Sequence, residues 1–179
     1  MTLIYKIYRR TGLSLTAIMA GALLITAVSC RVAFSFTGAS IHPDVKTVSV
    51  QYFQNRADDV DPVLSQLITD ALIDKCRRQT NLRLVPDMGD VHFEGEIINY
   101  RTETLTISGD ARAAVNRFTI AVRVRFSNAI QPDLDYTHVF NRYEDYDSNT
   151  DFSQVREPLS DKIVEMLVED IFNRAFVNW

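Results

Sequence analysis

The chain is short of the residues on which most enzyme chemistry depends. It has three histidines, His42, His92 and His138, to serve as the usual base for a nucleophile. His42 precedes Pro43, and the other two fall inside strand-like alternation. There is no G-x-S-x-G, no H-E-x-x-H and no glycine-rich loop able to cradle a phosphate. An esterase-like activity would need a Ser or Thr hydroxyl folded against His92 or His138. Cysteine is scarcer still: Cys30 and Cys76 are the only two, so neither a disulfide framework nor a thiolate zinc site can be assembled. Asp145, Asp147 and Asp151 lack the central glycine and twelfth-position Glu of an EF-hand loop, and no metal or other cofactor is expected there. Positive charge is also in deficit, with 19 Lys and Arg against 23 Asp and Glu. That balance excludes a basic nucleic-acid binder, which needs clustered cations against phosphates. No apolar run reaches the roughly 20 residues of a membrane-spanning helix.

What the chain does have begins at its first thirty residues. Lys6, Arg9 and Arg10 precede an apolar stretch, Leu13 to Val28, which ends in Ala27, Val28, Ser29 and Cys30. This is the pattern of a bacterial secretion signal with a lipobox. Cleavage before Cys30 would free its amino group for an acyl chain and its sulfur for a diacylglycerol. Each buried CH₂ contributes roughly 0.8 kcal/mol, so several chains together make a durable anchor. Residues 1–29 are therefore assigned to the signal, residues 30–43 to the acylated start and a tether, and residues 44–179 to one domain. Loss of the signal removes three of the 19 basic side chains and no acidic one, which leaves a net charge of about −7. Cys76 then has no partner and reads as a small buried hydrophobe.

Val45 to Phe53 alternates, with Val48, Val50 and Tyr52 on one side and Thr47, Ser49 and Gln51 on the other, as a half-buried strand does. Asp61-Pro62 supplies an N-cap and a first-turn proline. Leu64, Leu67, Ile68, Ala71 and Leu72 then form one apolar stripe of a helix ending near 79–81. A short strand over 82–85 leads through a turn to Val91–Arg101, where Val91, Phe93 and Ile97 oppose Glu94, Glu96 and Tyr100 and Gly95 is a candidate bulge. Residues 102–114 read as a polar connection. Phe118, Ile120, Val122, Val124 and Phe126 then alternate with Arg117, Thr119, Arg123 and Arg125. A last strand runs through Leu134, Tyr136, His138 and Phe140, and an acidic loop over 145–151 precedes a helix predicted from Pro158 nearly to Trp179. The order implies an α+β two-layer sandwich: a mostly antiparallel sheet of four to five strands, with two helices on one face and charge on the other.

On the charged face, Glu94 and Glu96 are placed to pair across to Arg123 and Arg125. Arg101, Arg112 and Arg117 border the 102–116 connection at one end of the sheet. They are the candidate contacts for a partner or for anionic lipid head groups, since a guanidinium fork suits phosphate.

Three strings carry a family resemblance: Phe34–Ala57 (FSFTGASIHPDVKTVSVQYFQNRA), Gly89–Ile97 (GDVHFEGEI) and Leu167–Trp179 (LVEDIFNRAFVNW). Together with the lipobox they resemble the LptE family of lipopolysaccharide assembly lipoproteins, in a divergent form. The resemblance implies a non-enzymatic, lipid-anchored, periplasm-facing protein of the outer membrane. It would assemble with and plug an LptD-like β-barrel translocon and help deliver lipopolysaccharide to the outer leaflet. Arg31 directly after Cys30, without acidic neighbours, resembles outer-membrane sorting. The alternative is a stand-alone periplasmic lipid- or ligand-binding lipoprotein, which would need an open pocket between sheet and helices.

Overall fold

β5 (Val115–Asn128) is the axis of the domain, because its alternation gives it one apolar face from Phe118 to Phe126 and two long neighbours to pair with. The computed structural model describes residues 41–59, 61–105 and 114–177. The expected signal (1–29), Cys30, most of the tether and Arg112 lie outside these residues. β4 (Val91–Leu105) and β6 (Tyr136–Asp147) flank β5 in antiparallel ladders. On the far side of β4 lie β1 (Thr47–Val50) and β2 (Gln54–Asn55), both parallel to it, and β3 (Arg83–Leu84) adds parallel to β1. The sheet order is thus β3-β1-β4-β5-β6, with β2 beside β4.

The fold is the expected α+β sandwich and its long ladders are antiparallel as expected, but the short strands β1, β2 and β3 pair in parallel, so the sheet is mixed and has six strands. The reason is topological. The chain leaves β1, crosses through α1 (Pro62–Gln79), and returns beside β1 in the same direction as β3, as a helical crossover requires. α1 starts where the sequence places it: the Asp61 carboxylate accepts from Val63 N–H at 2.9 Å. Its buried side includes Leu64, Ile68, Leu72 and Cys76.

Three local expectations are corrected. The extra residue in β4 falls between Ile97 and Asn99, not at Gly95, and this shifts the alternation by one. Tyr100 therefore turns into the core, 9% exposed, with its ring 5.0 Å from Phe118. Burial pushes its hydroxyl up to about 12. The first strand is shorter than its alternation suggests: the chain leaves β4 between Gln51 and Phe53, so Tyr52 is half exposed and Phe53 swings inward over Gly95. The acidic 145–151 segment is not all loop, because β6 continues to Asp147 and α2 (Phe152–Phe176) begins before Pro158. Asp151 caps it through Ser153 N–H at 2.8 Å, and Phe152 anchors the first turn against Phe118, ring centroids 4.9 Å apart. Packing of that turn outweighs the hydrogen bond that Pro158 cannot donate.

Both helices lie on one face of the sheet. Between them and β4–β5, Phe53, Phe93, Phe118, Phe126 and Phe172 are each under 2% exposed. Such a side chain contributes roughly 1.5–3 kcal/mol by leaving water. Phe93, Phe126, Phe172 and Phe176 interlock with centroids 5.0 to 6.0 Å apart. Lys75, whose side chain is 14% exposed, ties α1 to Glu169 of α2 and lies over the Phe172 ring.

Candidate functional surface

With one face under helices, the other face of the sheet remains open. Its rows run across three strands: Glu94, Arg125 and Thr137; Glu96, Arg123 and Val139; Asn99, Ala121 and Asn141; Arg101, Thr119 and Tyr143; Glu103, Arg117 and Asp145. The expected cross-strand pairs form. Arg123 bonds Glu96, and Arg125 lies 3.4 Å from Glu94.

Arg101 and Arg117 come together at the same end of this face, beside the connection that holds Arg112. Each is already engaged. Arg101 lies 3.0 Å from Glu103. Arg117 holds Asp145 through two parallel hydrogen bonds of 2.8 and 2.9 Å, and its guanidinium stacks 3.7 Å from the Tyr143 ring centroid. The Arg117 hydrogen bonds keep the Asp145 carboxyl below the usual carboxylate range, and those to Asp145 raise Arg117 in turn. Where the chain leaves β4 near Tyr52, the same face holds a shallow groove of about 260 Å³, lined by Tyr52, Gly95, Arg123, Arg125 and Thr137 among others.

A hydroxyl does lie beside a histidine. Ser49 Oγ is 2.6 Å from His92 Nδ1, and His92 Nε2 is 3.5 Å from Glu94. The order is that of a hydrolytic relay, but Ser49 is fully buried. Its Oγ also accepts the Gly89 N–H at 2.9 Å, so no carbonyl carbon can approach it. These groups pin the turn before β4 onto β1. A Cβ on Gly89 would strike the Val48 and Ser49 backbone, so only glycine fits. Beside it, Asp90 accepts from Lys46 N–H, Thr47 N–H and Thr47 Oγ1 at 2.8 to 2.9 Å. Cys76 is buried and its thiol is pushed up to about 12 by that burial, as expected of a packing residue.

Sequence reading missed β6 as a surface. Val139 and Tyr143 are exposed on its open side, and Ile130 and Leu134 are exposed in the turn that leads into it. The signal was present in the alternation of Thr137, Val139, Asn141, Tyr143 and Asp145, but it was hidden by ending the strand early.

These features define a class: a small α+β domain whose mixed sheet is covered by two helices on one face and open on the other. Among the described residues no helix is long and apolar enough to cross a membrane. A solved structure of a hypothetical protein from Chlamydia trachomatis shares the architecture, with 11% identity and a TM-score of 0.51 over 74% of this chain and 99% of that one. A minor lipoprotein from Acinetobacter baumannii aligns at 11% identity and a TM-score of 0.49, covering 73% and 91%. At these identities the likeness concerns the fold alone, and the chlamydial structure carries it. A search of curated proteins gives no match. The family is settled by sequence: residues 45–175 match the model "LptE: Lipopolysaccharide-assembly", and the chain belongs to that family. Its role accordingly falls within lipopolysaccharide assembly.

Proposed function

We propose that the chain is an outer-membrane lipoprotein, anchored through acylated Cys30 and facing the periplasm, that assembles with and plugs an LptD-like translocon barrel without catalysing a reaction. In this reading residues 1–29 are the removed signal and residues 30–43 the tether of a single domain. The family match over 45–175 carries the proposal. The packing agrees with it. Rings filling the space between helices and sheet leave a rigid body suited to being enclosed, and they argue against a stand-alone carrier that must house acyl chains. The buried Ser49 removes the nearest approach to a hydrolytic site.

The mechanism follows from tethering. Acyl chains confine the domain to the membrane surface and raise its effective concentration beside a barrel in the same bilayer. A preorganised body then loses little conformational freedom on docking. Arg101, Arg112 and Arg117 are the proposed lipopolysaccharide or partner contacts. The test is purification of the tagged full chain from outer membranes in mild detergent, with mass spectrometry of the mature N-terminus. A co-purifying β-barrel and an acylated Cys30 are expected. An unmodified cysteine on a protein free in the periplasm would overturn the reading.

A further inference from the structure

We infer that the shallow groove beside Tyr52 on the open face is a binding site for one neutral pyranose ring of a saccharide. The chain builds this groove where it crosses from β1 to β2. Gln51 N–H donates to the Phe93 carbonyl and Arg56 N–H to the Ile97 carbonyl, each at 2.8 Å, so the segment between them is held at both ends. Phe53 within it is fully buried, and its neighbour Tyr52 is turned out, 50% exposed, where it lines the groove. A single exposed tyrosine is ordinary. This one borders two ion pairs, Glu94 with Arg125 and Glu96 with Arg123, with Gln51, Gln54 and Thr137 also in the lining.

The lining selects a ligand by what it can meet without displacing a partner. Its two guanidiniums and two carboxylates cancel. An anion would have to part Glu94 or Glu96 from its arginine, and a cation would have to part Arg123 or Arg125 from its glutamate. Glu94 also has His92 Nε2 at 3.5 Å, a second neighbour against which a cation would compete. A hydroxyl displaces neither side, since it donates to the carboxylate and accepts from the guanidinium at once. Adjacent hydroxyls of one ring match the paired oxygens and paired N–H groups of such a couple. A peptide offers both roles too, but it joins a sheet through an open edge, and the β4 edge is taken by β1 before Gly95 and by β2 after it. An acyl chain needs apolar walls, and among the described residues Tyr52 is the only large apolar side chain in the lining. Its ring instead suits the C–H face of a pyranose, apolar in the middle and polar at its edges. A volume of about 260 Å³, below the roughly 300–1,000 Å³ of pockets for drug-sized ligands, admits a single ring. For the source of that ring the inference rests on the proposed role in handling lipopolysaccharide. The site is separate from Arg101, which lies roughly 20 Å from Gly95 along β4.

The test is saturation-transfer NMR of the full chain, purified in a detergent without a sugar head group, against methyl α-glucoside and methyl α-galactoside. Inorganic phosphate and a capped tetra-alanine peptide serve as the anionic and peptide comparisons. At least one glycoside is expected to bind with a dissociation constant on the order of 1 mM, as suits a ligand of this size. Its affinity should be the same at low and high salt, because no charged partner is displaced. Tyr52→Ala should leave the circular dichroism spectrum intact and weaken binding at least tenfold, whereas Tyr52→Phe, which keeps the ring face, should bind within about twofold of wild type. Saccharide stripped of lipid and phosphate from lipopolysaccharide should bind at least as tightly as either glycoside; weaker binding would overturn lipopolysaccharide as the source. No binding of any neutral sugar, binding unchanged by Tyr52→Ala, or competition by phosphate or by the peptide would overturn the site itself. Barrel co-purification does not involve this groove, so a chain that keeps its barrel and binds no sugar refutes the inference and leaves the translocon reading standing.

Discussion

Replacing Gly95 by alanine tests the packing logic at its narrowest point. Phe53 has no exposed surface, and a methyl group at position 95 would fall within its ring, overlapping three ring atoms at once. The ring cannot simply withdraw, because Phe53 N–H donates to Thr69 Oγ1 at 3.1 Å and Thr69 in turn bonds the Ser65 carbonyl. Overpacking a filled core costs about 1–3 kcal/mol, and an overlap of this extent belongs at the upper end. Loss of glycine's freedom in the unfolded chain returns about 0.5–1 kcal/mol. The net expectation is about 2 kcal/mol of destabilisation, a fall in melting temperature on the order of 4–8 °C. Urea unfolding of the full chain followed by circular dichroism measures it. Phe53→Ala alone should cost about 3–5 kcal/mol by opening a cavity, but with the ring gone the added methyl meets nothing. The double variant should therefore be no less stable than Phe53→Ala, a coupling of about 2 kcal/mol. A Gly95→Ala protein within about 0.5 kcal/mol of wild type, or an equal cost in both backgrounds, would refute the reasoning.

Pro158 is exposed and sits in the second turn of α2, so Pro158→Ala restores a backbone hydrogen bond at little cost in packing and should stabilise by about 1–3 kcal/mol in the same unfolding assay. Cys76, its thiol pushed up to about 12, should resist maleimide at pH 8 in the folded protein and react once urea unfolds it; rapid labelling of the native state would contradict its burial. Asp90 is held below its usual range, chiefly by the Lys46 N–H and then by Thr47. Its contribution is therefore full above the unfolded value of about 3.8 and is lost as pH falls through the lower folded value, and Asp90→Asn should flatten that acid limb of the stability profile. Asp145→Asn releases Arg117 and should tighten binding of the full chain to lipid A vesicles several-fold; unchanged affinity would mean that Arg117 does not meet the phosphates.

The elements that were legible in sequence are those whose period and boundary agreed. α1 carried a stripe, a cap and a first-turn proline at once, and β5 alternated over its whole length, so both fall where the pattern puts them. The failures share a cause: a single inserted or misread residue changes every face beyond it. Counting β4 without its extra residue sent Tyr100 to the wrong side, although Ile97-Ile98, two apolar residues in succession, marked the place. Pro158 marks no start, because Asp151, Phe152 and Val155 supply a cap and an apolar anchor upstream of it. The parallel pairing of β1 was not readable from alternation at all, since it is decided by where α1 returns the chain. At the candidate surface, charge could be placed on a face, but its cancellation could not. That Arg117 faces Asp145 depends on the β5–β6 register, which no local pattern states.

That cancellation bears on how the open face can recognise anything. Arg101, Arg117, Arg123 and Arg125 each have a carboxylate as neighbour, and an exposed pair of this kind contributes little to stability. It still sets a cost for binding an anion: an incoming phosphate must displace a partner that is already bidentate, as at Arg117, and leave Asp145 without its cation. Exchange of one oxyanion for another gains little, and it gains less as salt screens the attraction. Recognition by charge alone would therefore be weak on this face as it stands. Among the described residues the outer backbone of β6 has no hydrogen-bond partner and so no such internal competitor, and Val139 and Tyr143 beside it are exposed apolar groups that leave water on any contact. An apolar contact on this face therefore displaces no existing partner, whereas an anion at Arg117 must first displace the Asp145 carboxylate.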